Sequence, residues 1–83
     1  MNKINDLRNE IDNYDLKILD ILEKRIKICE QIGKIKKENN ISILCEGREN
    51  LILEKLYKNS ILPNIFIEKI WTNIFNYSKN RQK

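Results

Sequence analysis

The residues of this chain best suited to chemistry are cations and a few polar neighbours: Arg8, Arg25, Lys36, Arg48, Glu49, Ser78 and Gln82. There is no histidine. That removes the commonest general base and any Ser-His or Cys-His nucleophile pair. Cys29 and Cys45 form no CxxC pair, so neither a zinc site nor a disulfide framework is expected. Sixteen basic against twelve acidic residues leave a net charge of +4, a modest excess that suits a small anion, nucleic acid or an acidic surface.

Spacing singles out Arg25. Apolar residues recur at intervals of three and four through Ile4, Leu7, Ile11, Tyr14, Ile18 and Ile21, then Ile28, Ile32 and Ile35. The gap in that series falls at position 25, where Arg25 stands. A guanidinium on an apolar seam must reach water or find an anion, because burying it unpaired is expensive. Either a carboxylate of the protein answers it or a ligand does. Lys36 lies eleven residues on, which is three turns plus about 20°, on the same helix face and roughly 16 Å along the axis. Long side chains leaning together from those positions can grip one small ligand. Arg8 lies seventeen residues before Arg25, about 25 Å away along the rod and about 100° around it. It cannot easily serve the same pocket in its own chain, but in an antiparallel pair of long helices it comes near Arg25 of the other copy. Two equivalent pockets, each with a basic residue from both chains, would follow from that symmetry.

The elements that place these groups read as three helices. The series from Ile4 to Lys36, free of Pro and Gly until Gly33, predicts one amphipathic helix running to about Glu38, capped by Asn2 or Asn5 and broken at Asn39-Asn40. It would be roughly 50 Å long. A chain of 83 residues cannot cover such a rod with what remains, so pairing with a second copy is expected. Ile41 to Cys45 reads as a connecting loop that packs inward. A second helix opens at Glu46-Gly47-Arg48-Glu49 and runs to about Lys58, with Leu51, Ile52, Leu56 and Tyr57 on its inner face. Pro63 begins a third, to about Arg81, with Ser60 or Asn64 near its cap. Its stripe of Ile67, Ile70/Trp71, Ile74 and Phe75 continues into Ser78 and Gln82, so the core face turns polar at its end.

Hydrophobic content of 41% with 34% charge fits a soluble helical protein and neither a disordered chain nor a membrane protein. No apolar run approaches a membrane span and no secretory pattern opens the chain, which makes the cytoplasm the default location. The expectation is a single all-α domain over residues 1–83.

Taken together, the ordered residues resemble the all-α (AroQ) class of chorismate mutases. The likeness starts at Leu7-Arg8-Asn9-Glu10-Ile11-Asp12 and passes through Asp15, Leu19, Leu22, Arg25, Gly33, Lys36 and Gly47-Arg48-Glu49 to Ser78 and Gln82. It implies three helices per chain, with the long ones intertwined in a homodimer, and conversion of chorismate to prephenate, a step toward phenylalanine and tyrosine. That rearrangement breaks one C–O bond while forming one C–C bond. It uses no nucleophile, base, metal or cofactor. By the resemblance, Arg25 and the partner's Arg8 clamp the two carboxylates, and Lys36 and Gln82 donate to the ether oxygen. Glu49 accepts from the ring hydroxyl, Arg48 supports the carboxylate end, and Ser78 adds a polar contact. Lys36, Gln82 and Arg25 are thus the implied catalytic groups. Cys45 stands where the family commonly carries Asp near the hydroxyl, and the second loop is short compared with many relatives.

Other readings compete. One by one, Arg8, Lys36, Arg48 and Glu49 are the kind of charges that sit in solvent, and Cys29 and Cys45 are small apolar fillers. An isochorismate pyruvate lyase of the same fold grips a similar dianion, although Glu49 and Gln82 favour the mutase. A non-catalytic regulatory module would have no use for Lys36 and Gln82. A nucleic-acid binder would cluster its basic residues along an exposed face, whereas here acidic residues are interspersed.

Overall fold

The computed structural model describes residues 2–42 and 46–82. They form three helices: α1 (Lys3–Glu38), α2 (Glu46–Lys58) and α3 (Asn64–Gln82). The Ile41–Cys45 segment falls partly outside the described residues, and Ile41, at its start, is exposed rather than packed inward.

Local chemistry sets the helix ends. Asn2 caps α1, its side chain accepting from the Ile4 N–H at 3.0 Å, so Asn5 is left inside the helix. At the other end Asn40 takes a left-handed conformation with φ of 56°. The Ile41 N–H then donates to the Lys36 carbonyl and the Asn40 N–H to that of Lys37, which closes a Schellman motif. Asn is one of few residues that tolerates this backbone, which is why Asn39-Asn40 ends the helix. Pro63 lies just outside α3 rather than within it. Its carbonyl accepts from the N–H groups of Phe66 and Ile67, and Ser60 instead makes a local turn to the Leu62 N–H.

α3 packs on α1, and α2 packs on α3; α1 and α2 do not approach one another closely among the described residues. The core is small. Ile67 and Phe75 of α3 are buried, with Trp71 and Ile74 half-buried beside them. Leu22, Ile26 and Cys29 meet them from α1, all from its C-terminal half. On α2 the inner face is Ile52, Leu53, Leu56 and Tyr57; Leu51, expected inside, is exposed. The reason is geometric: 51, 52 and 53 are successive positions about 100° apart, and α3 covers the side centred on 52–53–56.

The N-terminal half of α1 is exposed along its length. Ile4, Leu7, Ile11, Tyr14, Ile18 and Ile21 are each more than half exposed. The fold extends 59 × 24 × 16 Å. Among the described residues no helix is long and apolar enough to cross a membrane.

Candidate active site

The open angle between α1 and α2, floored by the end of α3, holds a cavity of about 430 Å³. That is a suitable size for a small metabolite. α1 contributes Arg25, Ile28, Cys29, Ile32 and Lys36; α2 contributes Arg48, Glu49 and Ile52; α3 contributes Phe75, Ser78, Lys79 and Gln82. Six residues singled out from sequence, Arg25, Lys36, Arg48, Glu49, Ser78 and Gln82, therefore line one cavity. Arg8 does not; it is exposed on the uncovered half of α1. Cys45 lies outside the described residues.

Arg25 is half-buried, and its contacts answer the question its position raised. Nη1 lies 3.4 Å from Ser78 Oγ and 3.7 Å from Cys29 Sγ. The guanidinium carbon sits 5.8 Å from the centre of the Phe75 ring. These are long contacts with neutral groups and a ring face. Among the described residues no carboxylate stands at ion-pair distance from it. The cation is steadied without being neutralised, which leaves its charge for a ligand.

Ser78 is 4% exposed. Its hydroxyl donates to the Ile74 carbonyl at 2.7 Å, leaving its lone pairs toward Arg25. It is a fixed part of the wall.

Gln82 is placed by a close approach of two helices. Gly33 is the one buried residue of α1, and a Cβ there would stand 2.8 Å from Gln82 Cα. The glycine is used for its lack of volume; its φ is not positive. Gln82 Oε1 is buried without a hydrogen-bond partner, a costly state for an amide oxygen. Rotating the amide about its last bond exchanges that oxygen for the NH₂ group, so the same place can offer two donors to a ligand oxygen.

Glu49 sits in the first turn of α2, where the helix dipole favours an anion. It pairs with Lys79 of α3 at 3.2 Å, both side chains about a quarter exposed. Sequence reading passed over Lys79, which stands between Ser78 and Gln82 and looks like a solvated charge until α2 is seen to cross it. Cys29 could have been found: it is one turn beyond Arg25 on the same face. Ile28 and Ile32, read as part of a pairing seam, line the cavity as well.

Outside the cavity, Arg81 donates to Glu30 and ties the end of α3 to α1. The hydrogen bond to Glu30, and after it the Glu30 charge, raise the Arg81 pKa above its ordinary value.

Residues 7–83 match the model of the family described as chorismate mutase type II. The chain belongs to this chorismate mutase family. Over 77 residues it is 32% identical to the bifunctional chorismate mutase/prephenate dehydratase of Aquifex aeolicus, covering 90% of this chain. It is 33% identical over 54 residues, 65% of the chain, to the T-protein of Haemophilus influenzae. The chain spans only 21% and 14% of the length of these two relatives. Among solved structures, the chorismate mutase of Helicobacter pylori in complex with prephenate is similar with a TM-score of 0.87 at 33% identity, covering 95% of this chain and 88% of that one. A conserved hypothetical protein of Pyrococcus furiosus gives 0.84 at 34% identity, covering 100% and 99%. The all-α mutase fold expected from the residue pattern is thus the observed one.

Proposed function

We propose that this chain is a chorismate mutase, carrying chorismate to prephenate in a pocket completed by a second copy. The observation that carries the reading is Arg25: a half-buried cation on a cavity wall, met among the described residues by neutral groups, with Lys36, Gln82 and Glu49 around the same space.

The chemistry asks for two things. A flexible dicarboxylate must be folded into its compact, chair-like reactive form, which is catalysis by positioning. Negative charge growing on the ether oxygen must meet donors already in place. Arg25 would take a substrate carboxylate on its planar fork. Lys36 on α1 and Gln82 on α3 would donate to the ether oxygen. Glu49 would accept from the ring hydroxyl, Arg48 at the cavity mouth would support a carboxylate, and Ser78 would hold Arg25 in register.

The working form would be a cytoplasmic homodimer in which Arg8 enters the other copy's pocket. Two features support this. A folded monomer of this mass exposes roughly 5,200 Å², whereas the chain exposes 7165 Å². The excess is of the order of a substantial protein interface, and the bare apolar seam of α1 contributes to it. A groove of about 660 Å³ between α1 and α3 also exposes Leu19, Leu22, Ile26, Ile74 and Tyr77, among charged neighbours.

The test is to incubate purified protein with chorismate and, separately, isochorismate, following substrate absorbance and identifying products by chromatography. Prephenate from chorismate is expected. Pyruvate and salicylate from isochorismate with little prephenate would move the assignment to the lyase. Inactivity of a folded protein on both would overturn the enzymatic reading.

A further inference from the structure

We infer that Lys79 is a positioning residue for this reaction: it holds the Glu49 carboxylate in place and screens its charge from the incoming dianion. The inference rests on the proposed mutase activity and adds to it a residue that spacing alone does not mark.

A pocket for a dicarboxylate that also contains a carboxylate has a conflict. Glu49 faces the same cavity as Arg25 and Lys36, only about a quarter exposed. An unscreened negative charge there repels the ligand the other residues attract. Coulomb repulsion between charges about 6 Å apart costs from a few-fold in affinity in a watery surrounding to about a hundredfold in a half-buried one. Lys79 stands at the point that resolves this. It lies one residue past Ser78 and three before Gln82, on the side of α3 that α2 crosses. Its ammonium reaches Glu49 at 3.2 Å while the side chain lines the cavity. The pair also spans α2 and α3, so it fixes the Glu49 side chain relative to Gln82. The two proposed substrate contacts then belong to one rigid frame.

Because the repulsion acts equally on bound substrate and on the transition state, its release should appear in KM and leave kcat nearly unchanged. Lys79→Met keeps the apolar stem and removes the charge. It should raise KM for chorismate about tenfold, with kcat within twofold and an unchanged helical spectrum. Lys79→Arg should restore KM. The decisive comparison uses Glu49→Gln as the background. There the charge to be screened is gone, so Lys79→Met/Glu49→Gln, which removes both charges of the pair, should return KM to within about threefold of the unmodified protein.

A KM in Lys79→Met equal to that of the unmodified protein would overturn the role. So would a KM in Lys79→Met/Glu49→Gln still about tenfold above that of the unmodified protein, which would mean that Lys79 binds substrate directly. Should Lys79→Met misfold, Lys79→Gln in both backgrounds carries the same comparison. Failure of the unmodified protein to form prephenate is seen before any variant is made; it would overturn the activity itself, whereas normal turnover with an unmoved KM overturns only Lys79.

Discussion

Replacing Gly33 with Ala should damage catalysis far more than folding. The added Cβ would fall 2.8, 2.9 and 3.0 Å from Cα, Cβ and Cγ of Gln82. Reaching the ordinary contact range of 3.4–4 Å requires the last turn of α3 to withdraw by roughly 0.6–1.2 Å. For folding the effects oppose each other. Ala gains up to about 1 kcal/mol in helix propensity over Gly, while overpacking costs about 1–3 kcal/mol. Net destabilisation should stay below about 2 kcal/mol, and a helix end can yield more easily than a helix middle. For catalysis they do not oppose. A displacement near 1 Å of a group that must meet a reacting atom costs on the order of a hundredfold. The donor proposed for Gln82 would matter most in the transition state, so kcat should fall on the order of 30–100-fold with a small change in KM. Initial rates of chorismate loss measure both, and a thermal melt checks the fold. Gly33→Ala combined with Gln82→Ala should be no slower than Gln82→Ala alone. A Gly33→Ala protein with kcat within threefold of the unmodified one would refute the view that this helix crossing seats Gln82.

Other outcomes follow from the same pocket. Lys36→Ala or Gln82→Ala should each lower turnover on the order of a hundredfold, as loss of a preplaced donor does; normal rates in both would remove the ether-oxygen assignment. Arg8→Ala and Arg25→Ala should each be inactive as pure proteins, yet mixed subunits should recover some activity, because one hybrid pocket regains both arginines. No recovery in hybrids verified by mass spectrometry would refute a shared site. Rate should depend weakly on pH near neutrality, since the Gln82 amide donates without a titrating proton; a steep acid-side requirement there would count against it.

Much of this architecture could be read from residue order. Three-four spacing marked α1 nearly to the residue, because a long helix averages over local exceptions. The polar turn of α3 at Ser78 and Gln82 was visible because the stripe simply changes character. Leu51 was misplaced for the opposite reason: in a short helix with four apolar residues packed into six positions, more than one face is apolar, and only the crossing helix chooses. Lys79 was invisible because its partner is thirty residues away on another element. Gly33 stood out as a break in the pattern, but its reason, the backbone of α3 lying against it, exists only in the folded chain.

Among the described residues α2 packs on α3 and not on α1, with the cavity where its packing against α1 would be. A ligand lying there would touch both and tie them together. The substrate would be a cross-brace, closing a triangle that the protein leaves open on one side. Part of its binding energy would then go into stiffening α2 against α1, and the Arg48 contact would tighten only as the ligand seats. Thermal stability is the visible counterpart: a saturating ligand at a hundred times its Kd adds about 2.7 kcal/mol. The protection should concentrate in the amides of α2, the helix with least else to hold it.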